Sequence, residues 1–237
     1  MIVSINQPAY LPWLGYFDRI YKSDIHVVLD HVQFEKNSMV NRNKILSNGQ
    51  EVMLTIPLQT KGKFGDLVIK DVDVVQNHPW RKKHFRSITQ SYSKSTYKAD
   101  IFSELQRFYE SDDCSLGRVL KANMEFFIRA LRIDDTKIVY SSAMNVLGTK
   151  SELVLNICKA LGARQYISGP FGREYLDEKS FADNAIEIIY HDYQHPEYSQ
   201  KGKKFIPYLS TLDLLFNEGE HALKILSHDN RRLNHVS

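Results

Sequence analysis

The sequence predicts an α/β protein in which a Rossmann-like parallel sheet carries a helical insertion. The first observation is that a short apolar segment, Ile2–Ile5, precedes a segment with helical spacing, Trp13–Lys22, and a second apolar segment, Ile25–Leu29. Strand, helix and strand in this order form a βαβ unit, because parallel strands need a crossover connection. The second observation is that the same alternation returns after residue 137, which predicts further strands of one sheet.

The segment after this first unit is predicted to be β-structured. Ser47-Asn48-Gly49 lies between two β-leaning stretches of Asn41–Pro57, and Asn-Gly is a strong hairpin signal. Apolar residues alternate along Leu67–Val75, which predicts another strand.

The helical insertion is predicted at about residues 78–133. Three segments there have helical periodicity: His78–Tyr92, Lys98–Tyr109 and Ser115–Ile133. The apolar residues of the last segment form one stripe, which predicts that a single helix face is buried.

A second βαβ unit and a short C-terminal region follow. Lys137–Tyr140 and Gln165–Ser168 are predicted strands around the helix Lys150–Leu161, and Gly162 is well placed to cap that helix. The last predicted elements are the strand Ile186–Tyr190 and the short helices Ser210–Phe216 and Gly219–Leu226. The polar tail after His228 is expected to fray. Residues 1–237 are predicted to form one domain.

The composition is that of an ordinary globular protein rather than a nucleic-acid-binding or membrane protein. The 237 residues include 31 Lys and Arg against 28 Asp and Glu, and this net charge of +3 is small for a nucleic-acid binder. No apolar run approaches the ~18 residues that cross a bilayer, and the N-terminus lacks a secretory signal. The two cysteines, Cys114 and Cys158, form no CxxC pair, so a reduced, cytoplasmic setting is expected.

The loop after the first predicted strand is the densest candidate binding motif. It carries Gln7, Tyr10 and Trp13 around two prolines and leads into a helix. Ligands of open α/β sheets bind outside the carboxyl ends of the strands, so the two rings are candidates to stack on a base or a sugar. The alternative is that the aromatic residues pack under the loop and the prolines only shape it.

A second candidate motif follows the second predicted strand. Asp30 is a candidate catalytic carboxylate, and Gln33, Arg42 and Asn43 are candidate substrate-binding residues. The guanidinium of Arg42 has the bidentate donors that clamp a phosphate or a carboxylate. The alternative is that this loop only satisfies its own backbone.

A third candidate motif is the turn after the strand Gln165–Ser168. Ser168 and Gly169 are small enough to let a ligand approach the backbone, and Tyr175 follows as a further substrate-binding candidate. The segment matches neither a Walker A loop nor GxGxxG. The alternative is a tight turn without a ligand.

The fourth motif follows the last predicted strand. His195 is a candidate general base because imidazole titrates near neutrality, and Tyr198 and Gln200 are candidate substrate-binding residues. A structural role for His195 is the alternative. No metal site is expected from His191 and His195, because Pro196 breaks helical spacing and no third ligand follows.

The sequence also lacks several known catalytic patterns. GxSxG, HExxH, a cysteine-based zinc pattern and a dinucleotide fingerprint are absent, which argues against a hydrolase elbow, a zincin and a standard NAD enzyme. The cofactor is left unassigned.

Four segments in order resemble the WbqC-like protein family. They are QPAYLPWLGYFDRI, DHVQF with NRNKI, YISGPFGREYLD, and HPEYSQ with FIPYLSTLDLLFNEG, and together they extend from about Ile2 to Gly219. Members of that family are often associated with gene sets for O-antigen and other bacterial surface polysaccharides. The resemblance therefore implies a role in lipopolysaccharide biosynthesis.

A weaker resemblance concerns the fold alone. The Pro12-Trp13-Leu14-Gly15 loop, its helix and the next strand are similar to the opening of pantothenate synthetase, a nucleotidyltransferase-like enzyme. Pro12 and Tyr16 stand where that enzyme group has the two histidines of its HxGH element. The resemblance implies a nucleotidyltransferase-like fold and leaves the use of ATP open.

These observations lead to the hypothesis of a transferase that adds an acyl or aminoacyl group to a nucleotide-activated amino sugar. His195 would deprotonate the attacking amine, and Gln7 and Asn43 would bind hydroxyl groups. Six residues are expected to converge on one cleft: Gln7, Trp13, Asp30, Arg42, Ser168 and His195. The alternative is a non-catalytic sugar-nucleotide-binding or assembly protein, and nucleic acid is not an expected partner.

Overall fold

The computed structural model describes residues 1–60, 62, 67–202 and 204–227. Within these ranges the strands are β1 (Ile2–Asn6), β2 (Ile25–Val28), β3 (Arg42–Ser47), β4 (Gln50–Thr55), β5 (Lys137–Tyr140), β6 (Gln165–Ser168) and β7 (Glu187–Tyr190). The α-helices there are α1 (Leu14–Tyr21), α2 (Trp80–Ser91), α3 (Lys98–Glu110), α4 (Leu116–Leu131), α5 (Lys150–Ala160), α6 (Glu178–Asp183), α7 (Thr211–Glu218) and α8 (Ala222–Leu226). The predicted fraying of the tail from His228 concerns residues outside those described.

Five strands form one parallel sheet in the order β5-β2-β1-β6-β7. β1 lies at the centre and pairs with β2 on one side and with β6 on the other. Numbered by their order in the chain, the parallel strands follow 3-2-1-4-5, the arrangement of doubly wound nucleotide-binding folds. The predicted Rossmann-like sheet is confirmed. The strand order reverses between β1 and β6, and folds of this kind bind their ligand outside the carboxyl ends of the strands at that reversal.

Helices cover both faces of the sheet. Val3 of β1 packs with Leu153 of α5 in one buried cluster. Val28 of β2 belongs to a second cluster with Phe17 of α1 and Phe127 of α4, whose ring centroids lie 5.1 Å apart. Successive strand residues point to opposite faces, so the central strands β1 and β2 bury side chains on both sides.

β3 and β4 form the predicted hairpin outside the parallel sheet. Ser47 pairs with Gln50, which leaves a two-residue turn of Asn48 and Gly49. Both turn residues have positive φ, 51° and 76°, as the type I′ turn requires.

The strand predicted over Leu67–Val75 does not form. A 3₁₀ turn occupies Ile69–Asp71, and the segment makes only isolated antiparallel bridges, which are Gln33–Val68, Leu58–Val74 and Asp73–Ser115. Three separate partners cannot build a continuous ladder. The apolar spacing reflects core packing, because Ile69 and Val72 are fully buried.

Helix ends agree with the signals in the sequence. The three helices α2, α3 and α4 occupy the predicted insertion. At the end of α5, Gly162 has a φ of 67° and donates to the carbonyl of Lys159, while Ala163 donates to Cys158. This pair of bonds is a Schellman motif, so the predicted glycine cap is confirmed.

The β1–α1 loop, residues 7–13, is held in place by distant side chains. The Asn123 amide on α4 accepts from the backbone N–H of Leu11 at 3.1 Å and donates to the carbonyl of Ala9 at 3.1 Å. The amide of Asn43 on β3 donates to the Leu11 carbonyl at 2.6 Å. Leu11 itself has a φ of 46°, which is unfavourable for a branched side chain, so these bonds maintain a strained loop.

Asn123→Ala is expected to lower the free energy of unfolding by roughly 2–3 kcal/mol, because it leaves a backbone donor and acceptor of the loop unpaired. Denaturant unfolding measures the change. The control is Asn156→Ala, which removes one exposed hydrogen bond to Leu147 and should cost no more than about 0.5 kcal/mol. Equal losses in the two variants would contradict the attachment of the loop by Asn123.

Two histidines are buried, and neither forms an ion pair with any residue in the described ranges. His26 on β2 contacts the Ser4 hydroxyl through Nδ1 at 2.8 Å, and burial lowers its pKa to about 3. His84 on α2 contacts the Tyr10 hydroxyl at 2.8 Å, and burial lowers its pKa to about 4. Both imidazoles regain an ordinary pKa of about 6.5 when the chain unfolds.

Folding stability is expected to decrease as the pH falls from about 6.5 towards 4, because the unfolded chain takes up two protons that the folded chain does not. Each histidine contributes a slope of up to about 1.4 kcal/mol per pH unit. Urea unfolding at several pH values measures the slope. His84→Gln should remove about half of it, whereas the exposed control His221→Gln should leave it unchanged. The idea fails if His84→Gln keeps the full slope.

Candidate functional site

A buried arginine lies where the strand order reverses. Arg19 of α1 is 9% exposed, and its guanidinium lies beside Gly169, which directly follows β6. The position that a Cβ atom of residue 169 would occupy is 2.8 Å from Nη1 of Arg19. A side chain at residue 169 would therefore displace the guanidinium from this position.

The charge of Arg19 has no counterion among the described residues. None of them forms an ion pair or a hydrogen bond with its guanidinium, and the buried Nε atom is unpartnered. Burial lowers the pKa of Arg19, and the phenols of Tyr166, Tyr16 and Tyr175 oppose that effect, as does the charge of the neighbouring Asp18, which forms no ion pair with Arg19. An uncompensated buried charge is costly, whereas a guanidinium binds phosphate or carboxylate with two parallel hydrogen bonds. This arrangement is a candidate anion site.

The residue before Arg19 pairs with a histidine from the far end of the chain. Asp18 is fully buried, and its Oδ2 lies 2.6 Å from Nε2 of His191 and 2.8 Å from Nζ of Lys22. His191 follows β7, and its backbone N–H donates to the Ser168 carbonyl at 2.9 Å. The anion site and this Asp18–His191 pair are thus on adjacent residues of one helix.

An aromatic cluster adjoins the Asp18–His191 pair. We define it as Trp13, Tyr193, His195 and Tyr208. The ring of Trp13 lies 5.5 Å from Tyr193 and 5.8 Å from Tyr208, and His195 lies 5.1 Å from Tyr208. Tyr193 also stacks on His191 at 5.6 Å, and Tyr208 is 54% exposed. Two predicted site residues, Trp13 and His195, therefore lie in one cluster.

Other predicted residues have structural contacts. Tyr10 is fully buried, and its hydroxyl contacts His84 and Tyr109, so its ring belongs to the core rather than to a stacking surface. Asn43 is fully buried and uses both amide atoms on backbone groups. The predicted roles of these two residues towards a ligand conflict with this burial.

Tyr198 and Gln200 contact a buried carboxylate. The Tyr198 hydroxyl donates to Oδ2 of Asp213 at 2.9 Å, and the Gln200 amide donates to the same oxygen at 2.7 Å. Burial raises the pKa of Asp213, and these donors oppose the rise. The two residues thus attach the segment after β7 to α7.

The Asp30 carboxylate caps a 3₁₀ turn after β5. It accepts from the Ser142 backbone at 2.9 Å, from the Ser142 hydroxyl at 2.7 Å and from the Ser141 hydroxyl at 3.1 Å. Ser141 also lies 2.6 Å from Nδ1 of His31. The Asp30 oxygens are thus occupied, and a catalytic role for Asp30 stays a prediction.

The Arg42 guanidinium donates to the carbonyl and the side chain of Asn37, so it fixes its own loop. Gln33 is exposed and bridges to Val68. Gln7 is half-buried directly after β1, and its carbonyl accepts from the hydroxyl of Tyr16.

The turn after β6 brings Ser168 and Tyr175 near the anion site. The Ser168 hydroxyl donates to the Gly169 carbonyl at 3.1 Å, and Tyr175 is 45% exposed. A cleft that holds all six predicted residues stays a prediction, since Asp30 and Arg42 have other partners.

The residues that sequence reasoning missed are Asp18, Arg19 and His191. One signal was available, because Asp18 and Arg19 interrupt an otherwise apolar and aromatic helix.

A separate cavity of about 1100 Å³ lies in the helical layer, between the start of α2 and the end of α3. In the described ranges no three His, Cys, Asp or Glu side chains are grouped as metal ligands. No helix in the described part of the chain has the length and apolarity to cross a membrane.

Arg19→Met is expected to raise the free energy of unfolding by about 1–3 kcal/mol in the absence of ligand, because an apolar side chain of similar length replaces an uncompensated charge. Thermal and urea unfolding in a buffer without phosphate or sulfate measure the change. Arg42→Met is the control and should be destabilising, since it breaks the bonds to Asn37. A destabilised Arg19→Met variant would indicate a structural arginine.

Comparisons with known proteins agree with the resemblance seen in the sequence. Residues 7–225 match the WbqC-like protein family. The chain is 32% identical over 222 residues to uncharacterized protein Rv1507c of Mycobacterium tuberculosis (strain ATCC 25618 / H37Rv), a match that covers 93% of this chain and 95% of that protein. No solved structure matches the chain. The protein belongs to the WbqC-like protein family.

Proposed function

We propose that this protein is a transferase that adds an acyl or aminoacyl group to a nucleotide-activated amino sugar during surface-polysaccharide (O-antigen) biosynthesis. The observation that carries the proposal is the buried Arg19 guanidinium beside Gly169, without a counterion among the described residues. A nucleotide sugar contains a diphosphate, which is the type of anion that a guanidinium binds.

The position of Arg19 supports a nucleotide ligand. Doubly wound sheets bind nucleotides at the reversal of strand order, and Arg19 lies there beside the end of β6. Because Gly169 has no side chain, a phosphate can approach the backbone closely. The half-exposed Tyr208 ring and the neighbouring Trp13 ring provide a surface on which a base or a sugar can stack.

The pathway assignment rests on the family. The resemblance to WbqC-like proteins associates the chain with surface polysaccharides, whose building blocks are nucleotide-activated sugars. Such precursors are made in the cytoplasm, so we assign the protein to that compartment as part of the proposal.

A non-catalytic sugar-nucleotide-binding or assembly protein is the second candidate. It is favoured by the surroundings of His195, the base suggested by the sequence, whose Nδ1 lies 2.9 Å from the carbonyl of Pro196. A ring held by its own loop and packed among aromatic residues serves a structural role in this second candidate. The two candidates differ in whether a bound nucleotide sugar is converted.

Arg19→Met is expected to weaken the binding of a UDP-linked amino sugar by roughly 10–100-fold, because a charge-assisted bidentate contact contributes about 1.5–3 kcal/mol. Isothermal titration calorimetry measures the dissociation constant. Arg42 is the phosphate clamp that the sequence suggested. The Arg42→Met variant should have a dissociation constant within about threefold of that of the wild type.

Mass spectrometry of the same mixtures with an acyl thioester or an aminoacyl donor separates the two candidates. Transfer of the acyl group to the sugar supports the transferase, and tight binding without any product supports the binding protein. If the wild type binds no nucleotide sugar, or only Arg42→Met weakens binding, the proposed anion site is overturned.

A further inference from the structure

The Asp18–His191 pair lies beside the anion site and has the geometry of a base with its positioning carboxylate. We propose that His191, rather than His195, accepts the proton of the attacking amine and that Asp18 positions it. This inference rests on the proposed function for its substrate. It assigns a chemical role to a contact between residues that are 173 positions apart in the chain.

His191 is fixed at three points. Its Nε2 lies 2.6 Å from the Asp18 carboxylate, its backbone N–H donates to the Ser168 carbonyl, and its ring stacks on Tyr193. The His191 side chain is 8% exposed, and that of Asp18 is fully buried. Such a ring is held in one orientation before any ligand binds, which is what general-base catalysis requires of its acceptor.

The carboxylate determines which ring nitrogen can accept a proton. An ionised carboxylate only accepts hydrogen bonds, so Nε2 of His191 must carry the proton that points to Asp18. In the neutral imidazole the lone pair is then on Nδ1. None of the described residues forms a hydrogen bond with Nδ1. We assign that atom as the acceptor of the amine proton.

The charges around the pair connect proton transfer to substrate binding. The charged or titratable groups placed against His191 are Asp18, with Lys22 and Arg19 on the same helix, and Tyr193. Lys22 shares Oδ2 of Asp18, and Arg19 adds a second, uncompensated positive charge. A bound anion neutralises Arg19, so the neutral imidazole of His191 becomes a stronger proton acceptor when substrate is present.

The proposed step is balanced for an acyl thioester as donor. The amine of the sugar attacks the carbonyl carbon and forms the C–N bond, and its proton moves to Nδ1 of His191. The tetrahedral intermediate then collapses with cleavage of the C–S bond. The leaving thiolate takes the proton from His191, which gives an amide, a thiol and the neutral imidazole.

The number of protons taken up when an anion binds tests the role of the Asp18–His191 pair without requiring turnover. UDP-N-acetylglucosamine is one probe and sulfate is the other, since neither changes its own protonation near neutral pH. Calorimetry in Hepes, Tris and imidazole buffers separates the proton uptake from the binding enthalpy. We expect uptake in the wild type and an affinity that increases, by up to about tenfold per pH unit, as the pH is lowered.

His191→Gln should abolish the uptake and retain anion binding at high pH, whereas the exposed control His221→Gln should behave as the wild type. Asp18→Asn should reduce the uptake, because the imidazolium loses its carboxylate. The proposal is overturned if sulfate binds without proton uptake, if sulfate does not bind, or if His195→Gln removes the uptake and His191→Gln does not.

Turnover gives the second readout. At a pH high enough to keep the imidazole neutral, His191→Gln should lower kcat for acyl transfer by roughly 10²–10⁴-fold at an unchanged dissociation constant for the nucleotide sugar. A purely structural His191 would instead lower affinity and melting temperature together. A wild type that shows proton uptake with sulfate but neither binds nor converts nucleotide sugars would refute the proposed function and leave the pair intact.

Discussion

The attachment of the β1–α1 loop by two buried asparagines is the constraint on which the candidate site depends. Asn43 and Asn123 come from a hairpin and from a helix far along the chain, and they bind the backbone of Ala9 and Leu11. The loop fixes the position of α1, which begins three residues after Leu11. Without that attachment, the side chains of α1 would have no fixed relation to the strand ends.

The contrast between the two charged residues of α1 defines the chemistry of the site. Asp18 forms an ion pair with Lys22 and a short contact with His191, whereas Arg19 has no such partner among the residues described. A fold selected only for stability would replace or pair a buried guanidinium, because its desolvation is not repaid. The unpaired cation at the reversal of strand order is therefore the reason that we propose an external anion as its partner.

Much of the fold could be predicted from sequence, because it depends on local patterns. The short apolar strands, the Asn48-Gly49 turn and the glycine cap at Gly162 each follow from a few neighbouring residues. The segment Leu67–Val75 could not, since its alternation serves core packing and its bridges reach three separate partners. The candidate site was also difficult to predict, because its contacts join residues that are distant in sequence. The Asp18–His191 contact joins the two ends of the chain, and no local pattern encodes it.

Polar residues in strand-end loops either bind a ligand or satisfy buried groups of the protein, and the structure is needed to distinguish these two roles. Tyr10 and Asn43 suggested a ligand in the sequence, yet their polar atoms satisfy buried partners, as buried polar groups must. Buried atoms without a hydrogen-bond partner are found instead at Nε of Arg19, Oδ1 of Asp18 and Nε2 of His26. All three atoms belong to α1 or to β2 beneath it. Nε of Arg42 and Oγ of Ser91 are also unpartnered and lie elsewhere in the fold. What distinguishes Arg19 is a buried charge at the reversal of strand order, where a bound phosphate or carboxylate would satisfy it.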